Sequence, residues 1–158
     1  WYQTNIGSKA DLAKNVASGA YYCEQAKVKY SDSYTSGSAT MTIYSKYTPD
    51  FKCSSDGNGK GVVNASVGLL SYDEVVYAGG YYNQSNYNYY LYNSTYFWTM
   101  SPAGFSGSYS SVWGVNATGN IDRDFVDDTY RLRPVLNLTA DTQISDGDGT
   151  KENPFIIQ

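Results

Sequence analysis

A chain of 158 residues can bury the core of one domain, and 41% hydrophobic residues take it out of the disordered class. Charged residues make up only 16%, below the usual quarter, and polarity comes instead from Ser, Asn, Thr, Gly and 18 tyrosines. A net charge of −4 without a Lys/Arg cluster argues against nucleic acid or an anionic membrane surface as partner, and no run approaches the roughly eighteen apolar residues of a membrane insertion.

The best helix signal lies in residues 1–22. Ser8 with Asp11 three residues on approaches a capping box, and Leu12, Val16 and Ala20 fall on one helical face. Residues 23–66 read as irregular, with a short strand at 39–44 and a flexible Ser/Gly/Asn loop at 54–61. Cys23 and Cys53 bracket most of that region. An even cysteine count in a chain of this composition fits one disulfide formed in an oxidising compartment. Such a bridge would close a loop of about thirty residues, worth roughly 3–4 kcal/mol; two buried thiols are the alternative.

Residues 67–80 are well punctuated. Gly68 to Leu70 reads as a strand end, Ser71 and Glu74 form an S-x-x-E box opening one or two helical turns, and Gly79-Gly80 closes the segment. Residues 81–97 are nearly all Tyr, Asn, Ser and Thr, which predicts an exposed loop with a short helical or strand piece at 89–92. A meander of strands follows. Trp98 to Pro102 is expected to end at its proline. Residues 110–115 alternate, with Val112 and Gly114 on one face and Trp113 and Val115 on the other. Asn116 to Asn120 is a hairpin-like turn, and 121–125 a second strand. Leu132 to Leu138 is the most strand-like run of all, and residues 146–150 form a tight turn before a last strand at 154–157. Early helices followed by short strands predict an α+β fold with a small twisted antiparallel sheet and long loops.

Several blocks carry a resemblance. They are Trp1-Tyr-Gln-Thr-Asn-Ile6, Val67-Gly-Leu-Leu-Ser-Tyr-Asp-Glu-Val-Val-Tyr-Ala-Gly-Gly80, Tyr90-Leu91, Phe97-Trp-Thr-Met-Ser-Pro102, Arg133-Pro-Val-Leu-Asn-Leu138 and Gly147-Asp-Gly-Thr-Lys-Glu-Asn-Pro154. Together they resemble a domain found repeatedly in large surface proteins of gut Firmicutes. The resemblance covers nearly the whole chain. It implies a single domain over 1–158, the C-terminal fragment of a longer exported protein, displayed extracellularly at the cell surface. The start at Trp1, with no signal peptide before it, agrees with a fragment.

The W-T-M-S-P block, the Gly-rich meander and the R-P-V-L-N-L run are also similar to the C-terminal half of C-type-lectin-like folds, a group that includes formylglycine-generating domains. That likeness implies a compact α+β fold whose late strands and loops carry a ligand face. The chain has no cysteine after Trp98 to match the oxidising pair of formylglycine-generating enzymes, and it lacks the E-P-N and Q-P-D triplets of calcium-dependent lectins. Both departures argue against those activities.

The absence of His excludes Ser-His-Asp and Cys-His catalysis, and ungrouped cysteines leave nothing for zinc or haem. Paired carboxylates at Asp73-Glu74, Asp122-Asp124 and Asp127-Asp128 could serve a hydrolase, but capping and solvated turns account for them. No catalytic residue and no cofactor are expected. Asp146 and Asp148 alternate as cation ligands would, yet the EF-hand pattern is not met and a plain turn explains them. The N-x-S/T sequons at Asn64, Asn83, Asn93, Asn116 and Asn137 are what such a composition produces by chance.

Aromatic and amide side chains in polar loops suit recognition, because rings stack on sugars or anchor partners at low entropic cost. The candidates are Tyr81, Tyr82, Asn83, Asn86, Tyr87, Asn88 and Tyr89, then Phe105, Ser108 and Tyr109. In the late loop of the lectin-like pattern, Asp122, Arg123, Asp124, Asp127, Asp128 and Tyr130 would rim the same face. Arg131 and Arg133 are expected as structural ion-pair partners, and Trp98 and Trp113 as core. The expected function is non-catalytic binding or display: adhesion to a glycan or protein on a host or neighbouring cell. A structural subunit contacting other copies of itself is the alternative.

Overall fold

The computed structural model describes residues 10–23, 34–35, 38–39, 51, 62–82, 84–106 and 109–158. In chain order the elements are α1 (Ala10–Ala13), β1 (Ala20–Cys23), β2 (Tyr34–Thr35), β3 (Ser38–Ala39), β4 (Val62–Ala65), β5 (Gly68–Leu69), α2 (Tyr72–Tyr77), β6 (Tyr81–Tyr82), β7 (Phe97–Ser106), β8 (Tyr109–Val115), β9 (Asn120–Phe125), β10 (Pro134–Val135), β11 (Ile144–Asp146) and β12 (Ile156–Ile157). Short helices with small antiparallel and mixed sheets make this an α+β fold. Cys53 and the 54–61 loop lie outside the described residues, so the disulfide expected with Cys23 does too.

The chain divides into two compact units. One holds residues Trp1–Tyr21, Asn64–Gly68 and Val135–Gln158, the other Tyr22–Val63 and Leu69–Pro134.

In the first unit, Ser8 lies outside the described residues and the expected helix ends at Ala13, the last residue of α1. Its continuation is taken by tertiary bonds. Val16 bridges to Leu138, Ala17 N donates to Asn137 O at 2.9 Å, and the Asn15 carbonyl accepts from Thr139 N at 2.9 Å. The Asn15 side chain, itself buried, donates to Gln158 O at 2.7 Å. Ala20, read as part of the helical face, starts β1 instead. Periodicity over three apolar positions is a weak signal against three such bonds.

The second unit is built on a four-stranded sheet in the order β6-β9-β8-β7. β7, β8 and β9 form an antiparallel meander, and β6 joins β9 in parallel through Tyr81↔Asn120 and Tyr82↔Ile121. Trp113, Val115 and Ile121 point inward from the sheet, meeting Tyr72 and Val75 of α2 together with Phe97, Ala103 and Tyr89. α2 begins where the sequence places it. The Ser71 hydroxyl accepts from Glu74 N at 3.2 Å, and the Glu74 carboxylate accepts from Ser71 N at 2.7 Å, a complete capping box. The helix is fixed to β7 by Tyr72 N donating to the buried Ser101 hydroxyl at 2.8 Å and by Met100 N donating to Leu70 O at 2.8 Å.

β7 does not stop at Pro102. It runs on to Ser106, and its register against β8 shifts on both sides of the proline. An edge strand tolerates this, because a proline there forfeits no ladder bond to a further neighbour. The opposite edge is blunted differently. Asn116 N donates to Asn120 O and Val126 N to Ser110 O, so the even-numbered residues of β9 spend their main-chain groups on β8. The outward Arg123 N–H is covered by its neighbour, the Asp122 carboxylate, at 2.8 Å.

The run Leu132 to Leu138 is not one strand. Arg131 bonds beside it to Tyr96 and Trp98, Pro134–Val135 pairs with β5, and Asn137 and Leu138 pair with Ala17 and Val16. Two partners divide a segment whose alternation suggests one.

Candidate functional site: an aromatic and acidic shelf on the sheet

Successive strand residues face opposite sides of a sheet, and the first half of β7 follows this strictly. Phe97, Thr99, Ser101 and Ala103 are buried, whereas Trp98, Met100 and Pro102 are only partly covered. Trp98 pairs with Gly114, which pairs in turn with Asp122; Val112 pairs with Asp124. Trp98, Gly114, Val112, Asp122 and Asp124 therefore share the face turned away from Trp113.

The chain after β9 returns over this face. Asp128 N donates to Phe125 O at 3.0 Å to make the turn, and Arg131 is then bracketed by Arg131 N→Tyr96 O (3.2 Å) and Trp98 N→Arg131 O (3.0 Å). Tyr130 is laid down between those anchors. Its ring stacks on Trp98 at 4.2 Å and 21°, and meets Tyr96 at 4.9 Å and 57°. Its hydroxyl donates to Asp124 Oδ2. Burial, the bond to Asp124 and the negative charge of Asp124 hold the Tyr130 phenol well above its usual range, so it remains a donor. Tyr96 is 46% exposed. The result is a shelf of three rings flanked by carboxylates.

The structure separates the other candidates. Tyr109 and Phe125 are exposed, in ring contact at 5.1 Å, and belong to the Trp113 side of the sheet, as does Arg123. Asn86 is a clamp rather than a ligand group. Its amide donates to Gly79 O at 2.6 Å, its N–H to Thr118 O at 3.1 Å, and its Oδ1 accepts from Asn88 N at 3.1 Å. Tyr87 is exposed and stands edge-on to Tyr92, whose hydroxyl reaches Ala117 O. Asn88 is exposed.

Tyr89, expected at a ligand face, is 7% exposed and belongs to the core. Its neighbours Asn86 and Tyr92 tie the loop to the hairpin turn at 116–119, which drives the ring inward. Tyr81 is exposed, whereas Tyr82 is partly covered and packs edge-on against Trp113 at 5.5 Å. The Phe105 backbone pairs with Ser110; Asn83 and Ser108 lie outside the described residues. Asp127 and Asp128 are exposed at the turn below the shelf.

Trp98, expected in the core, is instead a member of the shelf, and Tyr96 belongs to it as well. The strict alternation from Phe97 to Ala103 is the signal that finds Trp98, since two small polar residues share the buried parity. Trp113 is core as expected. Arg133 makes no ion pair with the aspartates. Its guanidinium donates to Leu91 O and lies 5.1 Å from the centre of the Phe97 ring.

Asp146 and Asp148 serve the β11–β12 turn. Asp146 Oδ1 accepts from Gly147 N at 2.7 Å and Asp148 Oδ1 from Thr150 N at 2.9 Å. The Thr150 amide holds the Asp148 carboxyl below its usual range. Among the described residues no three His, Cys, Asp or Glu side chains group as a metal site would need, and no helix is long and apolar enough to cross a membrane.

Fold and site together define an α+β protein whose second unit presents an aromatic shelf edged with acids. Residues 28–140 match the family described as a domain of unknown function, DUF6273, and the chain belongs to that family. Neither a curated protein nor a solved structure matches it.

Proposed function

We propose that this chain is a non-catalytic recognition domain of an exported, surface-displayed bacterial protein, with a C-type-lectin-like arrangement, and that its ligand is a glycan. The observation that supports this most is the stack of Tyr96, Trp98 and Tyr130 on one sheet face beside Asp122 and Asp124. Sugar rings present flat C–H faces to aromatics and hydroxyls to carboxylates, and this shelf offers both partners. The rings sit on a strand and on a turn anchored by backbone bonds, so they are held in place before a ligand arrives.

The test is binding of the chain to a glycan array and to whole cells before and after periodate oxidation of their sugars. Binding that periodate abolishes and that Tyr96→Ala weakens at least tenfold is the expected result. Binding that survives periodate but disappears after protease treatment would replace the glycan with a protein ligand, and no binding in either format would sink the reading.

A second reading, a subunit of a surface filament or array, draws on the exposed Tyr109 and Phe125 on the opposite side of the same hairpin. It requires concentration-dependent self-association that Phe125→Ser removes.

A further inference from the structure

The charges around the shelf select among glycans. Between residues 122 and 131 the chain carries four aspartates and two arginines. Of these, Arg123 pairs with Trp113 and projects from the far side of the sheet, whereas Asp122 and Asp124 project from the side of the rings. Asp128 lies close enough to Tyr130 to oppose its ionisation. The single proton of the Tyr130 hydroxyl is already committed to Asp124 Oδ2. The charged groups that β9 presents on the ring side are thus acceptors only, and each carboxylate keeps lone pairs for a further donor. Tyr and Trp faces add attraction for a cation laid against them.

A sialylated or uronate sugar would bring more acceptors and a like charge to that place. A free amino sugar would bring an ammonium, which both satisfies the lone pairs and sits favourably on the rings. Arg131 bridges to Phe97 and so takes the opposite face from Trp98; it is the nearest remaining cation and opposes this preference only from a distance.

We propose that the Tyr96–Trp98–Tyr130 shelf, with Asp122 and Asp124 at its edge, takes glycans bearing unacetylated amino sugars in preference to neutral ones and excludes carboxylated ones. This rests on the shelf being the ligand face. The shared feature of the ligand is a hydroxyl-rich ring with a protonated amine at one carbon.

The experiment uses the whole chain, titrated calorimetrically with short glucosamine oligomers, their N-acetylated counterparts and galacturonic acid oligomers, in mildly acidic buffer where the sugar amines are protonated. The glucosamine oligomer should bind about tenfold or more tightly than its acetylated counterpart, and the galacturonate should not bind measurably. Asp124→Asn should bring the amine preference down to about threefold or less while Tyr96→Ala weakens both sugars together. Arg131→Gln should widen the preference. Glu152→Gln, an exposed acid in the other unit, removes the same net charge and should change nothing; equal loss in Glu152→Gln and Asp124→Asn would reduce the effect to overall charge and overturn the proposal.

Acetylated or galacturonate oligomers binding as well as the amine would overturn the selectivity and leave the shelf as a glycan site. No binding by any of the three, together with none on the array, would overturn both. Circular dichroism of each variant separates lost binding from lost folding, and Arg131→Gln, which alters only an exposed side chain, keeps the test decisive should Asp124→Asn fail to fold.

Discussion

The Tyr130 ring rests so close to the backbone of Gly114 that a Cβ at that position would come within 3.1 Å of the ring's Cε2 atom and 3.2 Å of Phe97 O. Glycine weakens a strand, yet here it makes room for the stack. Gly114→Val should displace Tyr130, break its bond to Asp124 and lower stability by about 2–3 kcal/mol, an overpacking cost. Urea denaturation checks the magnitude, and altered tryptophan fluorescence from Trp98 reports the displacement.

The capping box of α2 gives a second measurable quantity. Ser71→Ala should cost about 1 kcal/mol. The bonds are reciprocal, so Ser71→Ala and Glu74→Ala combined should cost less than their sum, with the coupling read from a double-mutant cycle. Additive losses would mean that the two bonds act separately.

Alkaline stability follows from buried phenols. Burial pushes Tyr72 and Tyr89 up to about 12 from 10.0. The folded chain holds those protons more tightly than the unfolded chain does, so their contribution is complete below pH 10 and is lost as the pH rises through about 12. Tyrosinate absorbance and circular dichroism, followed together, should show a late group of phenols ionising as the fold is lost. Ionisation of every tyrosine near 10 with the fold intact would contradict this.

The Tyr89 hydroxyl is buried and has no hydrogen-bond partner among the described residues. Tyr89→Phe removes an unsatisfied polar atom and keeps the ring, so it should leave stability unchanged or raise it by up to about 1 kcal/mol. A loss above 1 kcal/mol in thermal or urea unfolding would show that the hydroxyl is satisfied in solution.

Asp122→Ala uncovers the Arg123 N–H on the open edge of β9. Exposed edges invite pairing between chains, so sedimentation velocity should detect more self-association in this variant than in Asp127→Ala, which removes an exposed acid beyond the strand.

What could be read from the sequence was local chemistry. Ser71 and Glu74 announce α2 because a cap is made by residues three apart, and Asn116 to Asn120 announce the hairpin because Asn116 Oδ1 bonds within its own turn, to Thr118 N at 2.9 Å. Failures came where distant partners compete. Val16 continues a helical face by spacing but pairs with Leu138, more than a hundred residues away. Trp98 is hydrophobic and reads as core, yet its parity is set by Phe97, and only the return of Tyr130 makes its outward position favourable. Tyr89 looks like one exposed tyrosine among many until Asn86 fastens its loop. Of the candidate site, Asp122, Asp124 and Tyr130 were legible as a group in the late loop; Tyr96 and Trp98 belong to it through a strand pairing that no short motif records.

Gly119 has φ +75°, and a Cβ there would stand 1.9 Å from Asn86 O. The loop carrying Asn86 therefore closes on a hairpin turn that follows it by some thirty residues. β8 and β9 are joined by a short turn and can pair quickly, whereas the Asn86 loop, held on its own side by the bond to Gly79 O, cannot make its bond to Thr118 O until that turn exists. Assembly order follows: hairpin first, tyrosine loop second. On a chain emerging N-terminus first, the tyrosine-rich segment must therefore wait, only half fastened, until the hairpin behind it is made.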